Sequence, residues 1–317
     1  MTEASAPKRR LKVVVAAATY RRPELLRSLL PALAAQAASL EHDCWVVIVD
    51  NDPEESGRSV AASWAQRGVE YVPEPRPGIA AARNRALLSA AGADVVVFVD
   101  DDETPDPHWL ESLVDAWLEW GCAAVAGPVI SSFSGPVAAW VEACSTFRRP
   151  RLASGTIVGG AATNNLLLDL SVLARLDLRF DDRFGLTGGS DTMLTHTLVR
   201  RGQVIRWCDE AVMRETVPAE RATREWVLRR SERTGNVWSR VKVSLAETSR
   251  ERALVRVRLI LRALALRSLA GAVRTLLGTA RHDLALRSKG EIDMAQGRGV
   301  LRGAFGHVVV EYQRSKG

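Results

Sequence analysis

The chain has 317 residues, of which 47% are hydrophobic and 25% charged. This is ordinary globular usage for one large domain, with or without an appendage, and it excludes wholesale disorder, a collagen-like repeat and a polytopic membrane protein. Net charge is +6, but residues 250–317 hold 14 Lys/Arg against 5 Asp/Glu, while the remainder holds 29 against 32. The basic stretch suits an anionic surface or a phosphorylated substrate, and the acidic balance of the main body argues against a nucleic-acid groove there.

Residues 1–11 read as an unstructured tail. Lys8-Arg9-Arg10 and the apolar run after it imitate a secretion signal, but the run is short and has no cleavage site. Val13 to Ala18 is a Val-rich buried strand. Pro23 opens a helix with Leu25, Leu26, Leu29, Leu30 and Leu33 on one stripe. Trp45 to Val49 is a second strand, stopped by Asp50-Asn51-Asp52-Pro53. Val60 to Arg67 reads as helical, Val69 to Val72 as a strand and Ile79 to Ala91 as an Ala/Leu-rich helix. Val95 to Val99 is a fourth strand, followed by a helix over Trp109–Trp120 and a strand over Ala123–Val129. Strands alternating with helices predict an α/β domain over residues 12–248 with a mostly parallel sheet. Residues 249–317 read as a separate basic amphipathic helical region, with breaks at Gly271 and Gly278. The four cysteines are widely spaced with no metal-ligand pattern, so they read as reduced thiols. No window reaches the ~20 apolar residues of a membrane span.

In open α/β sheets ligands bind beyond the carboxyl ends of the strands. Acidic side chains gather there: Asp50 and Asp52 after the second strand, and Asp100-Asp101-Asp102 after the fourth. Three adjacent carboxylates repel one another unless a cation neutralises them, and hard oxygen ligands suit Mg²⁺ or Mn²⁺ bridged to phosphates. There is no GxGxxG after the first strand and no GxxxxGK[ST], which argues against a dinucleotide-binding domain and a P-loop nucleotidase.

Five segments in order resemble those of family 2 glycosyltransferases: Thr19-Tyr20-Arg21-Arg22-Pro23-Glu24-Leu25-Leu26, Val47 to Asp52, Gly78 to Ala86 with its Ala82-Arg83-Asn84, Asp100-Asp101-Asp102, and Phe184 to Asp191. Together they cover residues 12–240. Within the family the resemblance is to bacterial succinoglycan-type glucosyltransferases, supported by the spacing from Glu215 through Arg221 to Arg229–Asn236. The resemblance implies the GT-A fold. It also implies an inverting, metal-dependent transfer from a nucleotide sugar, with UDP-hexose the first choice, to an acceptor hydroxyl. Donor contacts fall on Thr19, Tyr20, Arg22, Asp50, Arg83, Asn84, Asp100 and Asp101. The Mg²⁺ or Mn²⁺ ligands are Asp100 and Asp102, with Glu215 where relatives carry a metal-binding His. Asp191 is the general base, in a segment where Ser190 replaces the usual Glu. Gly189, Ser190, Arg230 and Arg233 face the acceptor or a diphosphate. The implied partners are the nucleotide sugar and a hydroxyl acceptor, a lipid-linked one among the alternatives, with no nucleic acid. Residues 250–317 either pack on the main domain or lie on the anionic inner face of the membrane, for a cytoplasmic or peripheral enzyme. The competing readings are a nucleotidyltransferase, which would carry a Gly-rich loop near the first strand, and a non-catalytic membrane- or polyanion-binding protein of the same fold.

Overall fold

A computed structural model describes residues 9–149 and 151–309. The chain begins with β1 (Lys12–Thr19), α1 (Pro23–Ser39), β2 (Asp43–Asp50), α2 (Arg58–Ala62), β3 (Val69–Pro73), α3 (Ile79–Ser89) and β4 (Val95–Asp100). It continues through β5 (Glu103–Pro105), α4 (Trp109–Trp120), β6 (Ala124–Ala126), β7 (Val129–Phe133), α5 (Ala139–Ala143), β8 (Ile157–Val158), β9 (Asn165–Asp169) and α6 (Leu170–Arg175). After α7 (Ser190–Arg200) come β10 (Ile205–Trp207), β11 (Met213–Val217), α8 (Arg224–Ser244) and α9 (Ser249–Arg262). A π-helical segment (Ala263–Leu269), α10 (Ala270–Ala280) and α11 (Leu284–Ala304) complete it.

The chain forms two compact units. The first comprises Met1–Pro128, Leu152–Phe180 and Leu198–Met213. Its eight-stranded sheet has the order β3-β2-β1-β4-β9-β6-β10-β8. The strands β3, β2, β1, β4, β6 and β10 run one way, and β9 and β8 the other. The expected mostly parallel sheet is therefore present, with β9 inserted against the grain. The centre is dry: Val13 to Val15, Val46 to Val49 and Val95 to Val97 have no exposed surface. On α1, Leu26, Leu29, Leu30 and Leu33 are buried by the sheet, and Leu25 points outward at 38% exposure. The predicted strand over Ala123–Val129 is two strands, β6 and β7, separated by Gly127-Pro128, because proline has no amide hydrogen to continue a ladder. Residues 1–8 of the expected tail lie outside the described residues. Arg9 to Leu11 depart from that expectation: Leu11 is buried, its carbonyl accepts from the Asp43 amide, and Arg9 pairs with Asp94.

The second unit comprises Val129–Arg151, Asp181–Thr197 and Arg214–Gly317. The expected boundary at 248/249 falls inside it. The reason is close packing of α11 on α8: a Cβ on Gly299 would lie 1.8 Å from the Glu232 carbonyl oxygen, and one on Gly235 would lie 2.3 Å from that of Gln296. Gly271 and Gly278 do not break the helix as expected. They are contact points: a Cβ on Gly271 would lie 2.9 Å from the Gly290 carbonyl, and one on Gly278 would lie 2.5 Å from the Arg287 amide. Two buried carboxylates on α11 fasten the rest. Glu291 accepts from Trp140 Nε1, Arg224 and Arg287, and Asp293 accepts from Arg267 and Arg274. All four cysteines are free thiols, three of them buried.

Candidate active site

In the first unit the strand order reverses direction at β1. β2 and β3 lie on one side and β4 on the other, all parallel, which opens a crevice beyond the carboxyl ends. The register brings the tips level: Thr19 stands opposite Asp50, and Ala18 opposite Asp100. Thr19, Asp50 and the acidic triplet thus meet at one edge because hydrophobic runs of matched length end together.

The triplet divides its labour. Asp101 is 6% exposed, and both its oxygens are taken: Thr19 Oγ1 donates at 2.8 Å and Arg22 Nη1 at 3.0 Å. Asp101 thereby ties the β4 tip to the turn after β1. Burial raises its carboxyl above the ordinary value, against the Arg22 charge and the Thr19 hydrogen bond, which lower it. The neighbours on either side reach outward. The Asp100 side chain is 44% exposed with Arg83 at 3.9 Å, and that of Asp102 is 24% exposed with Arg22 at 3.6 Å. Arg21, in the turn that presents Tyr20 and Arg22, has the left-handed φ of 54°, an uncommon conformation for a side chain other than glycine. Its guanidinium bonds Asp52 and Glu54.

Asp50 is fully buried. It accepts from the amides of Asp52 at 3.0 Å and Gly57 at 2.7 Å and from the Tyr71 hydroxyl at 3.1 Å. Burial, then the Asp50 charge, pushes the Tyr71 hydroxyl up, so it stays a donor. The Asp50 carboxylate shapes the loop after β2. Sequence reasoning missed Asn51, whose amide donates to the carbonyls of Glu74 and Arg76 and accepts from Gly78. It folds the 74–78 loop against the tip of β2. Burial by itself would raise the Glu74 carboxyl; the hydrogen bonds and charge of Arg76 outweigh it and hold the group below the ordinary range.

On α3, Arg83 is 9% exposed and lies over the Phe180 ring at 5.7 Å. Asn84 next to it makes a two-point clasp, donating to the Phe180 carbonyl and accepting from the Phe180 amide, each at 2.9 Å. The Asn84 amide thereby holds residue 180 to α3. A second missed strut is Asn165 on β9. It accepts from Trp109 Nε1 and donates to the carbonyls of Pro128 and Ala211.

The second unit carries the other expected residues. Gly188 and Gly189 have φ of 75° and 98°, and a Cβ on Gly189 would lie 2.3 Å from Val237 Cγ1. This glycine pair turns the chain into α7 at close range to α8. Ser190 is fully buried, and Asp191 lies in the first turn of α7. Its Oδ1 accepts from the Thr192 amide at 2.7 Å and from the Thr192 hydroxyl at 3.3 Å. One oxygen is thus held by the helix start, and Oδ2 carries no hydrogen bond among the described residues. Glu215 on β11 accepts from Ser131 and from Arg149 at 3.2 Å. On α8, whose first turn is capped by the Thr223 side chain, Arg230 lies over the Trp226 ring. Arg233 is one turn further along that helix. Burial, then the Lys242 charge, lowers His196.

Among the described residues no group of three or more His, Cys, Asp or Glu side chains is gathered to hold a metal ion. The outward pair Asp100 and Asp102 does fit the mode in which Mg²⁺ or Mn²⁺ uses one or two carboxylates and completes its shell with water and substrate phosphates.

Comparison with known proteins agrees with this architecture. The family model "Glycosyl transferase family 2" matches residues 14–169, from β1 through β9. The chain is 32% identical over 249 residues to succinoglycan biosynthesis protein ExoM of Rhizobium meliloti (strain 1021), covering 77% of this chain and 80% of that one. Among solved structures it is similar to the mannosyltransferase PcManGT from Pyrobaculum calidifontis, in complex with GDP-Man and Mn²⁺, with a TM-score of 0.63 at 19% identity over 96% of this chain and 90% of that one. It is also similar to S. aureus TarS 1–349 in complex with UDP-GlcNAc, with a TM-score of 0.52 at 16% identity over 91% and 93%. The latter two likenesses concern the fold, which is GT-A. With the ExoM match spanning most of both chains and the family model spanning the strands that bear the acidic tip, the chain belongs to glycosyl transferase family 2 and is a glycosyltransferase.

Proposed function

We propose that this glycosyltransferase moves a hexose from a nucleoside diphosphate, UDP-hexose in the first instance, to an acceptor hydroxyl with inversion at the anomeric carbon. The observation that carries the reading is the paired outward carboxylates, Asp100 and Asp102, at the β4 tip, flanked by Arg83 and Arg22 and braced from within by Asp101. Asp100 and Asp102 would hold Mg²⁺ or Mn²⁺ on the donor diphosphate, where the ion stabilises the negative charge of the departing group. Arg22 and Arg83 keep two carboxylates and a diphosphate from accumulating unbalanced charge. Asp50 and Asn51 shape the loops that receive the nucleoside.

Asp191 takes the proton of the acceptor hydroxyl through Oδ2 while Thr192 fixes the other oxygen. The hydroxyl oxygen then bonds the anomeric carbon as the bond to the diphosphate oxygen breaks. Arg230 and Arg233 would neutralise a phosphate on the acceptor, which suits a lipid-linked saccharide in polysaccharide synthesis. Such an acceptor would bring the enzyme to the cytoplasmic face of a membrane. We leave Glu215 with Ser131 and Arg149, a structural pairing.

The test is to incubate the protein with Mn²⁺ and a panel of nucleotide sugars and to follow diphosphate release and the anomeric configuration of the product. Asp102→Asn is expected to lose Mn²⁺-dependent donor binding. Asp191→Asn is expected to keep it and to lose at least ~10² of kcat, as removal of a general base does. A retained anomeric configuration, or normal transfer by both variants, refutes the assignment.

A further inference from the structure

The inner face of the helical stretch 249–280 is seated tightly. Leu259 and Ala263 pack on Val300 and Ala304 of α11, and Gly271 and Gly278 bring α10 to backbone contact with the same helix. Among the described residues nothing covers the outer face. Leu254, Val257, Leu261, Leu264, Leu269 and Leu276 stand there at 49% to 70% exposure. From Leu254 on α9 to Leu264 just beyond it, the spacing i, i+3, i+7, i+10 makes one stripe. The step of five from Leu264 to Leu269 stays near that line because the segment between them is π-helical, with more residues per turn. Isolated exposed leucines are ordinary; a stripe running the length of α9 to α10 is not.

The charge beside the stripe names its occupant. Arg256, Arg258, Arg262 and Arg281 form no ion pair among the described residues, whereas the arginines facing α11, Arg267 and Arg274, are paired with Asp293. A second copy of the chain meeting this face about a two-fold axis would set the same unpaired arginines against one another. An apolar stripe edged by unneutralised arginines matches a bilayer surface with anionic headgroups, the leucines entering the acyl boundary and the guanidinium groups staying at the phosphates. No helix among the described residues is long and apolar enough to cross a membrane, so the contact lies in the plane.

We infer that the outer face of α9, the π-helical segment and α10 is the surface on which this glycosyltransferase sits on an anionic lipid bilayer. The inference rests on the proposed lipid-linked acceptor for its purpose, but its test reads binding and transfer separately. The full chain is sedimented with vesicles of phosphatidylcholine alone and with a third of phosphatidylglycerol, and diphosphate release with a soluble acceptor is measured in parallel. Wild type should pellet with the anionic vesicles only, and less so as salt rises. Leu261→Gln/Leu269→Gln should lower partitioning at least tenfold. Arg258→Gln/Arg262→Gln should lower it about fivefold per arginine. Both should leave soluble transfer and the oligomeric state unchanged, since all four side chains are exposed.

Wild type that ignores anionic vesicles overturns the inference, as does a leucine variant that binds like wild type. A wild-type dimer that the leucine pair dissociates assigns the face to a second copy and also overturns it. Vesicle binding without any sugar transfer would instead strike the proposed reaction and leave the docking surface standing.

Discussion

Asp101→Asn separates a strut from a ligand. Asparagine keeps the shape of the side chain but loses its charge, and only one oxygen remains to serve the two donors now at 2.8 and 3.0 Å. Thr19 Oγ1 can turn to accept from the new amide. The net loss is then one hydrogen bond to a charged group, about 2 kcal/mol, or a fall in Tm of about 3 °C for a chain of this length. Asp102→Asn, at a partly exposed tip, should move Tm by about 1 °C or less, while donor binding in Mn²⁺ falls at least about tenfold, as expected where a ligand is removed. The assay is a melting curve and a Mn²⁺–UDP titration on each variant.

pH adds a signed check. Burial raises Asp101 above its ordinary value of 3.8, so the folded chain holds this proton more tightly than the unfolded one. The group's contribution to stability is complete below 3.8 and is lost as pH rises through the raised native value. Asparagine does not titrate, so the Tm gap between wild type and variant should be wider in acid than at neutrality. The reasoning is refuted if Asp101→Asn leaves Tm unchanged and abolishes Mn²⁺–UDP binding, because the side chain would then be a ligand.

Gly189→Ala places a Cβ 2.3 Å from Val237 at a φ of 98°, and should cost about 2–4 kcal/mol, read as a drop in Tm, with Val237→Ala in the same chain recovering part of it. Asn84→Ala removes both bonds to the Phe180 backbone and should cost about 2 kcal/mol in a melting curve. Its donor KM should stay within about threefold of wild type, because the amide acts on the fold and not on the donor. Asp293→Asn should loosen Arg267 and Arg274 and raise amide exchange in α10 while leaving β1 to β4 protected, as measured by hydrogen exchange.

The order of strands and helices from β1 to β4 could be read from the sequence because β1, β2 and β4 are unbroken apolar runs and α1 is strongly periodic; the short β5 that follows escaped. β9 escaped: Leu166 to Leu168 stand among further leucines, and so short an apolar run is shared by strand and helix. Its reversed direction is a matter of long-range pairing with β4 and β6. Gly271 and Gly278 misled because a glycine that breaks a helix and one that lets two helices touch are the same letter, and only the partner at α11 distinguishes them. At the candidate site the acidic triplet was conspicuous, but which carboxylate turns inward is settled by Thr19 and Arg22, 82 and 79 residues away. Asn51, Asn84 and Asn165 carry the same ambiguity: an amide that grips a ligand and one that grips a backbone differ only in what the fold brings to it.

The clasp on Glu291 bears on how this chain can be made. Trp140 and the carboxylate it donates to are 151 residues apart. At ribosomal speeds of ~5–20 residues per second, the indole waits roughly 8–30 s after synthesis for its acceptor to emerge. Until α11 is made, the aromatic cluster that Trp140 and Phe147 form with Trp226 lacks its cover, and the face of α8 around Gly235 stands open. A nascent chain stalled before residue 284 would therefore expose a sticky, half-built unit, and shortening the gene from its 3′ end should yield aggregate and not a smaller enzyme.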